Sequence, residues 1–328
     1  MLASRRMDRT APPPVQREAT RAAYGRALEA LGHQRADLVV LDADLSGSTK
    51  TRVFAKSFPD RFLNMGVAEM NMAGYAAGLA LSGKLVFCSS FAMFAAGKAW
   101  EPIRQSIAIT QANVKIVASH AGLTVGEDGA SHQMLEDIAL MRVLPNMRVI
   151  VPADSLQTEA AVAAIAEVDG PCYMRVSRAA TPIMEGLPPF QLGRADVVRD
   201  GKDLALITCG VEVAECVQAA EILAAKGIDC LVLNSATIKP LDDETVAQVA
   251  RKCGRVMTVE EHQIIGGLGE AVASSLALSG VAVPLHLHGM KGEFGQTGPA
   301  KNLLDHYRLD AAGIADEAQT WLASLPTS

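Results

Sequence analysis

Two α/β domains, each a mainly parallel sheet covered by helices, are what this 328-residue sequence predicts. Three observations carry the expectation. Short apolar runs alternate with segments of helical periodicity. The alternation stops at a proline- and glycine-rich stretch, residues 181–193, and then restarts. The length also exceeds what one core usually holds, about 250 to 300 residues. The expected division is a flexible arm over 1–16, a first domain over 17–180, a linker over 181–193 and a second domain over 194–328.

Composition narrows the function classes. With 49% hydrophobic and 20% charged residues the chain is built for packed cores. A net charge of −6 supplies no basic field for nucleic acid or an anionic membrane. Apolar runs such as Leu38 to Leu41 are too short to span a bilayer. Six cysteines without a CxxC or CxxH pairing read as reduced thiols, which points to the cytoplasm. The first residues, MLASRRMDRTAPPPV, lack the apolar centre of a secretion signal.

A first helix is expected from Arg17 to Gly32, opened by Thr20. The strand Asp37 to Leu41 runs into DADLSGSTKT, a polar loop at a strand's carboxyl end, where parallel sheets collect ligands. The same residues suit a solvated turn. Next comes RFLNMGVAEMNMAGYAAG, which sets Glu69 at the start of a small-residue helix. A carboxylate in such an apolar run must be paired, hydrogen-bonded or neutralised. It is either held for chemistry or a first-turn acid that complements the helix dipole.

Leu85 to Cys88 is a second strand, and SSFAMFAAGKAWEPIRQSI resumes as a helix with Phe91 and Phe94 at the junction. This aromatic pair suits either the core or a stacking platform for a planar heterocycle. The strand Val114 to Ala118 leads into SHAGLTVGEDGASHQ, which has two histidines, two acids and little apolar content beyond Leu123 and Val125. His120, Glu127, Asp128 and His132 place hydrogen-bonding and acid–base groups together on one loop. The two histidines lack the spacing and the thiolate companion of a metal site, so no metal is assigned to this chain.

A helix from Met134 to Val143, a strand Val149 to Val151, a helix Ser155 to Val168 and a strand Cys172 to Val176 complete the first domain, ending at Ser177 and Arg178. The second domain is expected to run as strand Asp203 to Thr208, helix Glu212 to Lys226 and strand Asp229 to Asn234, then IKPLDDETVAQVARKCG as a turn and short helix. After the strand Arg255 to Val259, EEHQIIGGLGEAVASSLAL reads as a glycine-rich turn before a helix, with His262 as a loop histidine of no assigned role. A last helix spans Asp310 to Leu325.

The order AEM at Glu69, SSFAMF at Phe91, HAGLTVGEDGASHQ, then VSR at Arg178 resembles the pyrimidine-binding and C-terminal domains of transketolase, from about Arg17 to Leu325. The resemblance implies two three-layer α/β domains, a thiamine-diphosphate-binding fold of the pyrimidine type followed by the transketolase C-terminal fold. In that family the glutamate at the position of Glu69 hydrogen-bonds the cofactor's aminopyrimidine and promotes its imino tautomer. Phe91 is then expected to stack on the pyrimidine, with Phe94 lining the pocket and Asp44 close to the cofactor. His120, Asp128 and His132 match residues that meet ketose hydroxyls and move protons. Arg21, Ser48, His120 and Arg178 match positions that hold a sugar phosphate. HAGLT and GASHQM stand where the family often has HDSIG and GPTHQP, which leaves the sugar preference open.

The family holds the cofactor's diphosphate through Mg²⁺ with a GDG motif, and this sequence has none; GEDG at Gly126 to Gly129 lies in the sugar loop. The resemblance therefore implies one subunit of a split transketolase, with an N-terminal subunit supplying the diphosphate and Mg²⁺ site, as a heterotetramer acting on sugar phosphates. The alternatives are the beta subunit of a 2-oxoacid dehydrogenase E1 component, against which GEDGASHQ speaks, and a non-catalytic structural subunit.

Overall fold

The computed structural model describes residues 16–184 and 186–326. The arm expected over 1–16 therefore lies outside the described residues except for Gln16, as does Glu185 within the expected linker. The first eight strands are β1 (Arg17–Ala19), β2 (Leu38–Asp42), β3 (Phe62–Asn64), β4 (Leu85–Phe91), β5 (Val114–Ser119), β6 (Arg148–Ile150), β7 (Cys172–Val176) and β8 (Ala180–Pro182). Then follow β9 (Asp196–Arg199), β10 (Leu204–Thr208), β11 (Cys230–Asn234), β12 (Thr237–Lys239), β13 (Val256–Gln263) and β14 (Leu285–Met290).

A seven-stranded sheet has the order β12-β6-β7-β5-β4-β2-β3, parallel except for β12. Its central strands are continuous apolar runs because helices cover both faces. On one face Tyr24, Leu28 and Leu31 of the helix Thr20–Gln34 pack with Val162 and Ile165 of Ser155–Ala166. On the other, Met72, Ala73, Ala76 and Ala77 of Glu69–Leu81 pack with Ile103, Ile107 and Met141. The second sheet, β14-β13-β10-β11-β9, is parallel except for β9. Both units are α/β layers of the expected class.

Three differences bear on the site. Residues Arg17–Ala19 form a short antiparallel ribbon with β8, so the first helix starts at Thr20. The segment after Phe91 is not a plain α-helix: Ala99 N–H donates to Phe94 O and Ile109 N–H to Arg104 O, wide turns with five-residue spacing. These flank Pro102, which has no N–H to donate. Finally, β12, read from the sequence as a turn, leaves the second unit and pairs with β6 of the first sheet. Val151 N–H donates to Ala236 O at 2.7 Å beside it, so backbone pairing joins the two units.

Candidate active site

The carboxyl ends of β2, β4, β5 and β7 converge, and the chain leaves each through a polar segment. At β2, buried Asp42 accepts from Leu45 N–H at 2.6 Å, Thr49 Oγ1 at 2.7 Å and Thr51 Oγ1 at 2.9 Å, folding the loop around one carboxylate. Burial pushes its carboxyl above the ordinary value, against those three donors. Asp44 is exposed in the left-handed region, φ 64°, where aspartate is tolerated. Its side chain accepts from Asn64 Nδ2 at 2.9 Å while its N–H donates to Asn64 Oδ1 at 3.1 Å. Arg21, from the first helix, donates to the Ser48 carbonyl at 3.0 Å.

Glu69 is the first residue of its helix and only 2% exposed. It lies in the first turn, as a dipole-complementing acid does, and it is also paired. Lys98 Nζ, on the wide turn that carries Phe94, meets Glu69 Oε2 at 2.6 Å. The other oxygen, Oε1, receives no hydrogen bond among the described residues. Lys98 is half-exposed, which leaves it free to move aside for another partner.

Phe91 and Phe94 lie near parallel, 6.2 Å between centroids. His120 stacks on Phe91 at 3.7 Å, so one face of that ring is already covered by protein. His132 stands edge-on to both rings, at 6.3 and 5.6 Å. His120 is 3% exposed with φ 58°. Arg21 Nη1, which can only donate, lies 3.2 Å from His120 Nε2. Nε2 is therefore the acceptor, and Nδ1–H donates to Ser119 Oγ at 2.8 Å. Burial, then the Arg21 and Arg178 cations, push this imidazole down to about 3.

That value sets a pH dependence. The unfolded histidine takes a proton near pH 6.5 while the folded one excludes it. Stability is then lost as pH falls through 6.5 towards 3. Melting of His120→Asn is expected to fall less between pH 7.5 and 5 than melting of the wild type. Equal slopes for the two chains would contradict the assignment.

The rest of the loop is not a solvated turn. Leu123, Thr124 and Val125 are buried, and only its tip, Glu127, Asp128, Ala130 and Ser131, is exposed. Arg178, two residues past the end of β7, pairs with Glu127 at 2.6 Å and also donates to the Val125 carbonyl. His132 Nδ1 meets Ser131 Oγ at 2.9 Å. Asp128 is exposed and makes no side-chain hydrogen bond among the described residues. The structure thus joins Arg21, Ser48, Phe91, Phe94, His120 and His132, ties Arg178 to their loop, and leaves Asp44 and Glu69 at its margin.

Several residues escaped the sequence reading. Lys98 sits in an alanine-rich helical run with nothing local to link it to Glu69. Gln133 Nε2 reaches the Gln296 carbonyl at 2.9 Å, and Glu261 accepts from the Thr124 amide at 3.0 Å; both partners lie over a hundred residues away in sequence. His286, His288 and Glu317 gather within 4.8 Å of one another in the second unit. Lys291 and Arg308 already neutralise Glu317, and His288 Nε2–H is spent on the Arg308 carbonyl at 2.7 Å, so this is an ion-pair network. Among the described residues no helix is long and apolar enough to cross a membrane.

Comparison with known proteins agrees with this architecture. Residues 16–184 match the transketolase pyrimidine-binding domain and residues 193–314 the transketolase C-terminal domain. A protein named as a transketolase C-terminal section in Methanocaldococcus jannaschii is 52% identical over 298 residues, 90% of this chain and 93% of that one. One subunit of the apulose-4-phosphate transketolase of Phocaeicola vulgatus is 37% identical, covering 92% and 96% of the two chains. A solved split-gene transketolase, an inactive beta4 tetramer, superposes with TM-score 0.85 at 48% identity, over 92% of this chain and 97% of that one. Human transketolase is 39% identical, and the match takes up 48% of its length. Sheet order, matched domains and relatives together show that the chain belongs to the transketolase family and spans its pyrimidine-binding and C-terminal domains.

Proposed function

We propose that this chain is the C-terminal subunit of a two-chain transketolase, dependent on thiamine diphosphate and Mg²⁺, that moves a two-carbon ketol unit from a phosphorylated ketose to an aldose. The observation that carries the reading is Glu69, a buried acid with one oxygen unpartnered among the described residues, beside exposed apolar side chains. Val67 is 72%, Met70 49% and Tyr75 53% exposed on and beside its helix. Exposed apolar residues grouped around a buried acid suit a covering partner.

The residues fit the cofactor's demands. Thiamine diphosphate supplies the nucleophilic carbon and electron sink of ketol transfer when bound. Glu69 Oε1 is the acceptor offered to its ring, and Phe91 and Phe94 supply the apolar wall. Neutral His120, with His132 and Asp128, is assigned to sugar hydroxyls. Arg21 and Arg178 each keep unused N–H donors suited to a tetrahedral oxyanion. Asp44 is assigned to the cofactor's neighbourhood and Ser48 to the phosphate. The diphosphate and its Mg²⁺ are assigned to an N-terminal partner chain in a heterotetramer; in support, several relatives are named as one section or subunit of a transketolase. One is a subunit of the 6-deoxy-6-sulfo-D-fructose transketolase of a Clostridium species, 40% identical over 86% of this chain.

The test is reconstitution. This chain mixed with a partner bearing a GDG motif, thiamine diphosphate and Mg²⁺ is expected to transfer the ketol unit from a ketose phosphate to an aldose phosphate. The chain alone is expected to show none. Sulfonated and branched donors define the preference. A reconstituted pair silent with every ketose, or one that releases CO₂ from a 2-oxoacid instead, would overturn the proposal.

A further inference from the structure

Strand β13 runs further than its sheet requires. Val256 to Val259 pair with both β10 and β14, but the chain then continues extended through Glu260, Glu261 and His262, which pair with neither. The sequence reads these polar residues as a turn, yet all three are buried. Glu260 caps the next helix, accepting from Leu268 N–H at 2.7 Å and Gly269 N–H at 2.8 Å.

Glu261 turns the other way, into the first unit. Its Oε2 accepts from the Thr124 amide at 3.0 Å and its Oε1 from Thr124 Oγ1 at 3.2 Å. Both of its oxygens thus serve as acceptors for one residue. It lies flat against Gly122, where a Cβ would come within 2.2 Å of its Cδ, and φ is 79°. Only glycine leaves room for the carboxylate and adopts that backbone freely. Its neighbours extend the grip: Ala139 N–H donates to His262 Nε2 at 3.3 Å, and Gln263 N–H to the Leu135 carbonyl at 2.8 Å. The loop is closed at its base, where Gly122 N–H donates to Met134 O at 2.8 Å. Glu261 therefore sits inside a closed loop whose two ends carry His120 and His132.

We propose that Glu261 is a positioning residue: its carboxylate, delivered by the second unit, sets the conformation of residues 120–133 and thereby places the loop's sugar-facing groups. The role rests on the reading of that loop as the sugar site. It also gives the second unit a task at a site built from the first.

Two variants of the full chain, Glu261→Gln and Glu261→Ala, test it with two independent measurements. In hydrogen exchange, peptides covering 122–130 of Glu261→Ala are expected to open about tenfold faster or more, while β5 keeps its protection. Glu261→Gln keeps one acceptor for Thr124 and is expected to recover most of that protection. Exchange unchanged in the loop, or raised equally in β5, would overturn the role. In the reconstituted pair, KM for the ketose is expected to rise about tenfold in Glu261→Ala, with a smaller change in kcat and unaltered cofactor affinity. A fall in kcat alone would also overturn it. Should the wild-type pair prove inactive, the functional reading fails by itself, and loop exchange still decides whether Glu261 positions the loop.

Discussion

Glu69→Ala is expected to lower ketol transfer by the reconstituted pair about 10³-fold, the scale of a lost proton-transfer group. Glu69→Gln separates the two things this side chain offers. The amide keeps the shape, and it retains an oxygen for Lys98. It does not retain a group that can share a proton, so its deficit is expected to approach that of alanine. Folding is not expected to suffer to the same degree. The partner charge, Lys98, is half-exposed and can be solvated once the acid is gone. The measurement is kcat with saturating cofactor, alongside a melting curve of each variant. A Glu69→Gln pair with activity close to wild type would show that the buried acid is only a helix-terminal partner for Lys98.

Glu69 was legible because a carboxylate in an apolar run demands a partner, though the sequence did not say which. The strands were legible for a related reason: LVVL, LALIT and CLVLN are continuous apolar runs, which only doubly covered parallel strands require. What could not be read is where polar residues find partners far along the chain. Glu261 looks like turn material until Thr124 and Gly122 are beside it. Thr237 to Lys239 looks like a turn until β6 offers an edge. The wide turns around Pro102 keep near-helical periodicity, so the pattern showed a helix but not the position of Lys98. Asp44 came from family resemblance alone, whereas Asp128 was already marked by its polar loop, and the fold shows both exposed.

Arg175→Leu is expected to be the most destabilising single change near the site. The guanidinium is buried in β7 between two buried acids, with Nε 3.4 Å from Asp137 Oδ2 and Nη2 3.9 Å from Glu261 Oε1, and it donates to the Glu261 carbonyl at 3.0 Å. Burial opposes its charge, but Asp137 and Glu261 outweigh that and hold it above the ordinary arginine value. Asp137 is further committed to Tyr173 Oη–H at 2.7 Å. Removing the cation leaves two carboxylates without their counter-charge in the interior, a change that costs about 3–5 kcal/mol. At about 2.1 cal/mol/K of unfolding entropy per residue, a chain of this size then melts lower by roughly 4–7 °C. The pH dependence identifies the cause. Burial already raises the Glu261 carboxyl, and Arg175 is the strongest influence pulling it back. Without Arg175 the folded value rises further, so the folded variant binds a proton that the unfolded chain releases near its ordinary value. Stability of the variant is then lost as pH rises through that window and regained as it falls. The gap in melting temperature between wild type and Arg175→Leu is therefore expected to be smaller at pH 5 than at pH 7.5. Adding Asp137→Asn and Glu261→Gln to Arg175→Leu is expected to recover part of the loss at pH 7.5, because no uncompensated charge remains. A deficit that is flat with pH and unaffected by the two neutral substitutions would mean that Arg175 serves only to fill space between the units.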